Sequence, residues 1–206
     1  GIKVDGGSVS IGAMTPHATV ARSAEVQKAI PALADLAGGI GDQMVRNMGT
    51  IGGSIANADP AACYPAGVLG LGATVHTDRR SIAADAFFTG LYETALQPGE
   101  LIVSVSFPIP QKAAYIKYKQ PASRFALVGV FVSQGPQGTR VAVTGAGPCV
   151  FRVAALETAL AKDWSAKAIE GIAVPADGLN TDLHASAAYR AHLIGVLARR
   201  AVAAAA

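Results

Sequence analysis

The chain has 206 residues, 51% of them hydrophobic and 15% charged, a balance that can bury a real core in one domain or two small ones and that argues against disorder. The 17 basic residues barely outnumber the 14 acidic ones and are spread along the chain, so a net charge of +3 gives no footprint for nucleic acid. Two distant cysteines, Cys63 and Cys149, supply neither a disulfide framework nor the four thiolates of an iron-sulfur cluster, and no run reaches the ~18 to 20 apolar residues of a membrane span. A soluble protein of the reducing cytoplasm is expected. The start at Gly1, without methionine or the regions of a signal peptide, reads as a processed or truncated chain.

In chain order, residues 2–4 and 9–14 predict a hairpin around Asp5-Gly6-Gly7-Ser8, residues that tolerate positive φ. Thr15-Pro16 and Ser23 are candidate helix starts, and Pro31 opens another short helix closed by Gly38-Gly39. Residues 38–60 are too rich in glycine for one regular element, and they predict loop joined to short helix starts. A helix over 65–71 and a strand over 73–77 follow, then a half-buried strand over 101–107 that alternates apolar and polar residues. Pro108-Ile109-Pro110 stops it and marks the candidate boundary, because two prolines favour an extended linker. Beyond it come three strands, over 115–119, 125–133 and 139–145, the last two joined by Gly135-Pro136-Gln137-Gly138. Helices are expected over 153–161, 165–172 and 186–203.

The residues from Arg46 to Pro60, RNMGTIGGSIANADP, carry the chemistry. Three glycines in five positions let the backbone turn sharply and let a ligand approach amide groups. An irregular loop over Thr50, Ile51, Gly52, Gly53 and Ser54, with amides facing outward, would form an anion-binding concavity, completed by the two hydroxyls and by Asn57. The spacing is neither the dinucleotide fingerprint nor the P-loop. On pattern alone, a nucleotide site and a glycine-rich turn that satisfies itself remain equally open.

The same stretch resembles the second FAD-binding segment of the molybdenum hydroxylase flavoproteins, the medium subunits of the carbon monoxide dehydrogenase and xanthine dehydrogenase family, within the wider vanillyl-alcohol-oxidase type of FAD domain. Further segments fall in the family's order: Ile11-Gly-Ala-Met-Thr, Phe87-Phe88-Thr-Gly, Leu96 to Glu100-Leu-Ile, Ala122-Ser-Arg-Phe-Ala, and Thr144-Gly-Ala-Gly with Arg152 and Glu157-x-x-Leu160. The resemblance implies an α+β fold. Residues 1–109 would be the second lobe of the FAD domain, and 110–206 a C-terminal three-stranded antiparallel sheet with helices. It implies FAD contacts from Thr50, Ile51, Gly52, Gly53 and Ser54 to the pyrophosphate and ribitol, with Asn57 beside them, Ile40 pressing on the cofactor, and Leu101 or Ile102 near flavin or adenine. Lys119 falls near a family lysine that reaches the flavin ring. Cys63 stands where the family often has an aspartate that bonds FAD.

The resemblance also implies an oxidoreductase subunit without a general acid or base of its own. Electrons from a molybdenum cofactor on a large subunit would pass through 2Fe-2S clusters on a small subunit to FAD here, then to an external acceptor. Family members begin with a lobe carrying an Ala-Gly-Gly-x-Ser loop, for which nothing stands before Gly1. A separate N-terminal lobe, and weak or no binding of FAD by this chain alone, are therefore expected. A flavin-free fragment or an interaction module holding subunits together is the alternative. His17, His76, His184 and His192 lack metal-ligand spacing and read as surface or cap residues, while Cys63 reads as packing.

Overall fold

The computed structural model describes residues 1–205 and is an α+β protein of two main antiparallel sheets. Strands β1 (Ile2–Asp5) and β2 (Ser8–Gly12) form the expected hairpin. Its turn is possible because Gly6 and Gly7 take φ of +53° and +95°, the positive values that a right-twisted two-residue hairpin demands. Six short helices follow: α1 (His17–Arg22), α2 (Ala24–Ala29), α3 (Pro31–Gly38), α4 (Gln43–Met48), α5 (Ile51–Asn57) and α6 (Tyr64–Gly70). Strands β3 (Thr74–Thr77) and β4 (Ser81–Ala83), the single turn α7 (Ala84–Phe87), the small pair β5 (Phe88–Gly90) and β6 (Glu93–Thr94), and β7 (Ile102–Pro108) complete this part. The first sheet has the order β1-β2-β7-β3-β4.

The chain leaves that sheet at Pro108 and enters the second at Lys112. Strands β8 (Lys112–Lys119), β9 (Ala126–Gly135), β10 (Gly138–Thr144) and β11 (Phe151–Arg152) are followed by helices α8 (Ala154–Lys162) and α9 (Ala187–Ala204). The order β11-β10-β9-β8 makes this sheet four-stranded, one strand more than expected. The extra strand is two residues long, too short for alternation to show in sequence. Residues 165–172 hold only a 3-10 turn, Lys167–Ile169. Ile169 is its single buried residue and Gly171 turns the chain at φ +76°, so no apolar stripe sustains a longer helix.

The second sheet is a wall between two cores. Phe131 and Ala142 face the helices α3 and α6 and the first sheet, in a cluster with Leu33, Leu36, Ile51, Ile55 and Val105. Val128, Val130, Val132, Val141 and Val143 face the opposite way, against Leu156 of α8 and Ile194 and Leu197 of α9. This two-sided burial explains why β9 is buried over eight consecutive residues and carries Val, Phe and Ala in place of a polar alternation. Close packing of α6 on β9 needs Gly70, where a Cβ would stand 2.7 Å from the Phe131 ring.

Ser23 caps a helix as the sequence suggests, accepting from the Val26 N–H, and Ser186, the first residue of the expected last helix, accepts from the Tyr189 N–H in the same way. Thr15 does not cap α1. Pro16 occupies the N-cap position with no side-chain bond, and the Thr15 hydroxyl is drawn 3.3 Å from the Gly1 amine instead.

A buried acid pins the first sheet's edge. Glu100 accepts from Arg80 Nε (2.9 Å), the Gln97 N–H (2.7 Å) and the Thr77 hydroxyl (2.7 Å). The Arg80 guanidinium, with these two further donors, holds its carboxyl down at about 2, from an ordinary value of 4.5. A depressed acid contributes stability that is present above the unfolded value and lost as pH falls toward the folded one. Thermal unfolding of the wild type should therefore weaken between pH 4.5 and about 2. In Glu100→Gln that slope should be shallower, with a lower melting temperature at neutral pH. Equal slopes would remove Glu100 from the acid transition.

Candidate cofactor cleft

Residues 13–17 run antiparallel beside residues 49–52, and this pairing builds the cleft. The His17 N–H donates to the Gly49 carbonyl (2.9 Å), the Ile51 N–H to Thr15 (3.1 Å) and the Gly52 N–H to Ala13 (2.8 Å), with a bridge between Pro16 and Thr50. Two backbones approach this closely only because position 52 has no side chain: a Cβ there would stand 2.6 Å from Ala13 Cβ. From Ile51 the chain coils into α5. Thr50 is its N-cap, with Oγ1 accepting from the Gly53 N–H at 3.2 Å, and the Ser54 N–H returns to Thr50 O.

The expected irregular loop over Thr50 to Ser54 is thus a helix start, and its amides are not free. Glycine disfavours helix by roughly 1 kcal/mol per residue, but full burial of Ile51 and Ile55 and the bonds to residues 13–15 outweigh that cost. The helix ends at Ala58 in the left-handed conformation, φ +48°, at a cost of about 1–2 kcal/mol. That turn swings residues 59–62 into the cleft wall.

The resulting cavity measures about 580 Å3, within the usual range of cofactor pockets. Polar groups gather at the α5 end: the hydroxyls of Thr50 and Ser54, the Asn57 amide and the His17 ring. Ile40, Val45, Met48 and Phe125 give an apolar wall, and Met48 and Phe125 are exposed. Lys117 and Arg124 bring positive charge. Lys117 Nζ donates to the carbonyls of Gly39 (2.8 Å) and Arg124 (3.0 Å) and to Cys63 Sγ (3.3 Å), so it also ties three walls together. Burial pushes the His17 imidazole down to about 4, which keeps it neutral at physiological pH.

Of the residues expected at the site, Ile40, Thr50, Gly53, Ser54, Asn57 and Cys63 line this cavity. Ile51 and Gly52 do not; both are buried behind it, as a core residue and a spacer. Leu101 is 67% exposed at the first sheet, its N–H donating to Asp78. Ile102 packs on the core, and neither lines the cleft. Lys119 lies in a neighbouring hollow with Arg46 and Arg124, and Lys117 takes the cleft position. A strand's two-residue period puts 117 and 119 on one face, but the register shifts between Tyr118 and Lys119, and that bulge turns Lys119 aside.

Cys63 is buried in the wall with its sulfur accepting from Lys117. His17 is 4% exposed, neither a surface residue nor a cap. Lys117 and His17 escaped the residue-level reading, whereas Arg124 and Phe125 belong to the family-like segment Ala122-Ser-Arg-Phe-Ala, where Ser123-Arg124 reads equally as a phosphate contact or a strand-entry loop. Only the strand period and the proximity of 117 to 119 hinted at the first.

Hydroxyl, amide and cationic groups lining one cavity together with an apolar wall suit an anionic, partly aromatic cofactor, and FAD meets both requirements. Residues 1–110 match the family model described as the FAD binding domain in molybdopterin dehydrogenase. The chain is 33% identical to the carbon monoxide dehydrogenase medium chain of Hydrogenophaga pseudoflava, over 98% of this chain and 76% of that one. It is also 33% identical to the nicotine 6-hydroxylase medium subunit of Paenarthrobacter nicotinovorans, over 96% and 75%. The solved carbon monoxide dehydrogenase from H. pseudoflava superposes with a TM-score of 0.85 at 32% identity, covering 99% of this chain and 77% of that one. Quinoline 2-oxidoreductase from Pseudomonas putida 86 gives 0.85 at 29% identity, covering 99% and 76%. The chain belongs to the family of FAD-binding flavoprotein subunits of molybdenum hydroxylases, which are oxidoreductases. No helix among the described residues is long and apolar enough to cross a membrane.

Proposed function

We propose that this chain holds FAD in the cleft between α5 and β8, as the medium subunit of a multi-subunit dehydrogenase of the cytoplasm. Residues 1–109 would form the FAD-binding lobe and 110–206 the C-terminal α+β part. The observation that carries the proposal is the convergence of Thr50, Ser54, Asn57, Lys117 and Arg124 on one apolar-walled cavity, the first three of them within residues 1–110 that match the family model.

FAD supplies the capacity to accept and release electrons; the residues of this chain bind and orient it. With the N–H groups of Ile51 and Gly52 spent on the fold, the pyrophosphate must be held chiefly by side chains. The Thr50 and Ser54 hydroxyls can donate, and the cations offset the two negative charges. Ile40, Met48 and Phe125 offer apolar surface to the rings and exclude water. The relatives' names, medium chain and medium subunit, support partner subunits. In this scheme electrons originate at a molybdenum cofactor on a large subunit, pass the 2Fe-2S clusters of a small one, and leave through this subunit to an external acceptor.

Titration of the purified chain with FAD, followed by quenching of flavin fluorescence, is expected to saturate at one FAD per chain. Replacing both hydroxyls, Thr50→Val with Ser54→Ala, removes two hydrogen bonds and should weaken binding roughly thirtyfold. No saturable binding up to millimolar FAD, by this chain or by a complex that adds a separate N-terminal lobe, would overturn the proposal and favour a flavin-free interaction module. Co-purification with cluster-bearing and molybdenum-bearing subunits tests the rest of the scheme.

A further inference from the structure

We infer that His17 is a further cofactor-binding residue, its Nε2–H donating to a phosphate oxygen of the nucleotide held at the Thr50–Ser54 end of the cleft. This rests on the FAD assignment and names a residue that neither the glycine motif nor its spacing indicates.

The first support is an unmet hydrogen-bonding demand. His17 is 4% exposed yet lines the cavity, and its Nδ1 is wholly buried with no partner. That sealed nitrogen is best left as the unprotonated acceptor, so the ring's hydrogen-bonding demand falls on Nε2, which has no protein partner among the described residues. Burial holds the ring neutral, so it carries one N–H. A buried donor left unpaired is rarer than an underused acceptor, which places the proton on Nε2. That nitrogen lies beside Gly49, where a Cβ would stand only 2.6 Å away. Gly49 lines the same cavity one residue before the α5 cap.

The second support is how firmly the ring is placed. The His17 backbone N–H is tied to the Gly49 carbonyl at 2.9 Å, which fixes the residue from which the ring projects, and Tyr64, fully buried, packs on the imidazole with centroids 5.2 Å apart and planes inclined by 53°. A side chain held from both sides is preorganised and loses little freedom when a ligand docks.

The third is the arithmetic of donors. Ile51 and Gly52 donate to Thr15 and Ala13, Gly53 to the Thr50 hydroxyl, and Ser54 to the Thr50 carbonyl. An anion at this helix start therefore depends on side-chain donors, and His17 is the neutral ring among them.

The test uses the full chain. With 15N-labelled histidine, the His17 ring resonances should report a neutral Nε2–H tautomer and should shift on addition of FAD, and also of ADP as a probe carrying the same diphosphate. His17→Phe, which keeps an aromatic ring against Tyr64, should stay cooperatively folded and bind FAD about tenfold or more weakly. His17→Gln should recover part of that loss by restoring a donor. Ring resonances unmoved at saturating FAD, or a folded His17→Phe with unchanged affinity, would overturn the inference while leaving the FAD assignment standing. Should His17→Phe fail to fold, the wild-type resonances decide. A wild type that binds no FAD, alone or in a complex that adds a separate N-terminal lobe, would overturn the FAD assignment, and this inference with it.

Discussion

Gly52→Ala is expected to destabilise the protein by about 3 kcal/mol, while Gly53→Ala, one residue on, should change stability by less than about 1 kcal/mol. The two glycines look equivalent in sequence and lie in opposite surroundings. A Cβ on residue 52 would meet Ala13 Cβ at 2.6 Å, Ala13 O at 2.8 Å and Ala13 Cα at 2.9 Å. The neighbour is partly backbone and cannot swing away, so residues 13–17 must retreat from 49–52. Retreat breaks the Gly52 to Ala13 and Ile51 to Thr15 hydrogen bonds and moves the wall of the cleft. Position 53 is exposed, and its Cβ would meet only Thr50 Oγ1, at 3.1 Å; there, alanine's better helix propensity offsets the crowding. For a chain of this size, 3 kcal/mol is a drop of roughly 10 °C in melting temperature. FAD affinity should fall in Gly52→Ala and largely survive in Gly53→Ala. Equal melting temperatures for the two variants would show that the close approach at Ala13 is not what position 52 provides.

Arg140→Met should be nearly as costly, at about 2–3 kcal/mol, because Arg140 joins the second sheet to α6 and α7. Its guanidinium is 4% exposed. Nε donates to the Leu69 carbonyl at 2.8 Å, and the terminal nitrogen donates to Asp85 at 2.7 Å. Removing one partner of a buried pair strands the other. Asp85 limits the damage, since its side chain is 49% exposed and Arg152 also bonds it at 3.1 Å; this is why the estimate sits below the usual 3–5 kcal/mol. The Leu69 carbonyl likewise keeps a second donor, the Gly72 N–H at 3.2 Å. Asp85→Asn should therefore cost about 1 kcal/mol. In a double-mutant cycle by denaturant unfolding, Arg140→Met and Asp85→Asn should be coupled, and strict additivity would show that the pair contributes nothing beyond its separate contacts.

Much of the backbone was legible locally. Asp5-Gly6-Gly7-Ser8 announces a hairpin because positive φ is nearly confined to such residues. Ser23 caps a helix through its own hydroxyl, and the alternation over 101–107 marks β7. The order of family-like segments placed the chain among FAD-binding flavoproteins, and the glycine stretch pointed to a segment that lines the cleft. These signals are short-range, or are matched as strings.

Contacts between distant segments decided the rest. The motif Gly-Gly-Ser suggested amides open to a ligand, yet Ala13 and Thr15, nearly forty positions away, accept the amides of residues 52 and 51. Lys117 and Lys119 share a strand period, and a bulge separates them. His17 looked like a surface residue until Tyr64 and Gly49 closed over it. Spacing encodes which way one backbone can turn; the free energy that sets a side chain's burial and partners comes from surfaces brought together by folding, and those pairings are written nowhere in the local pattern.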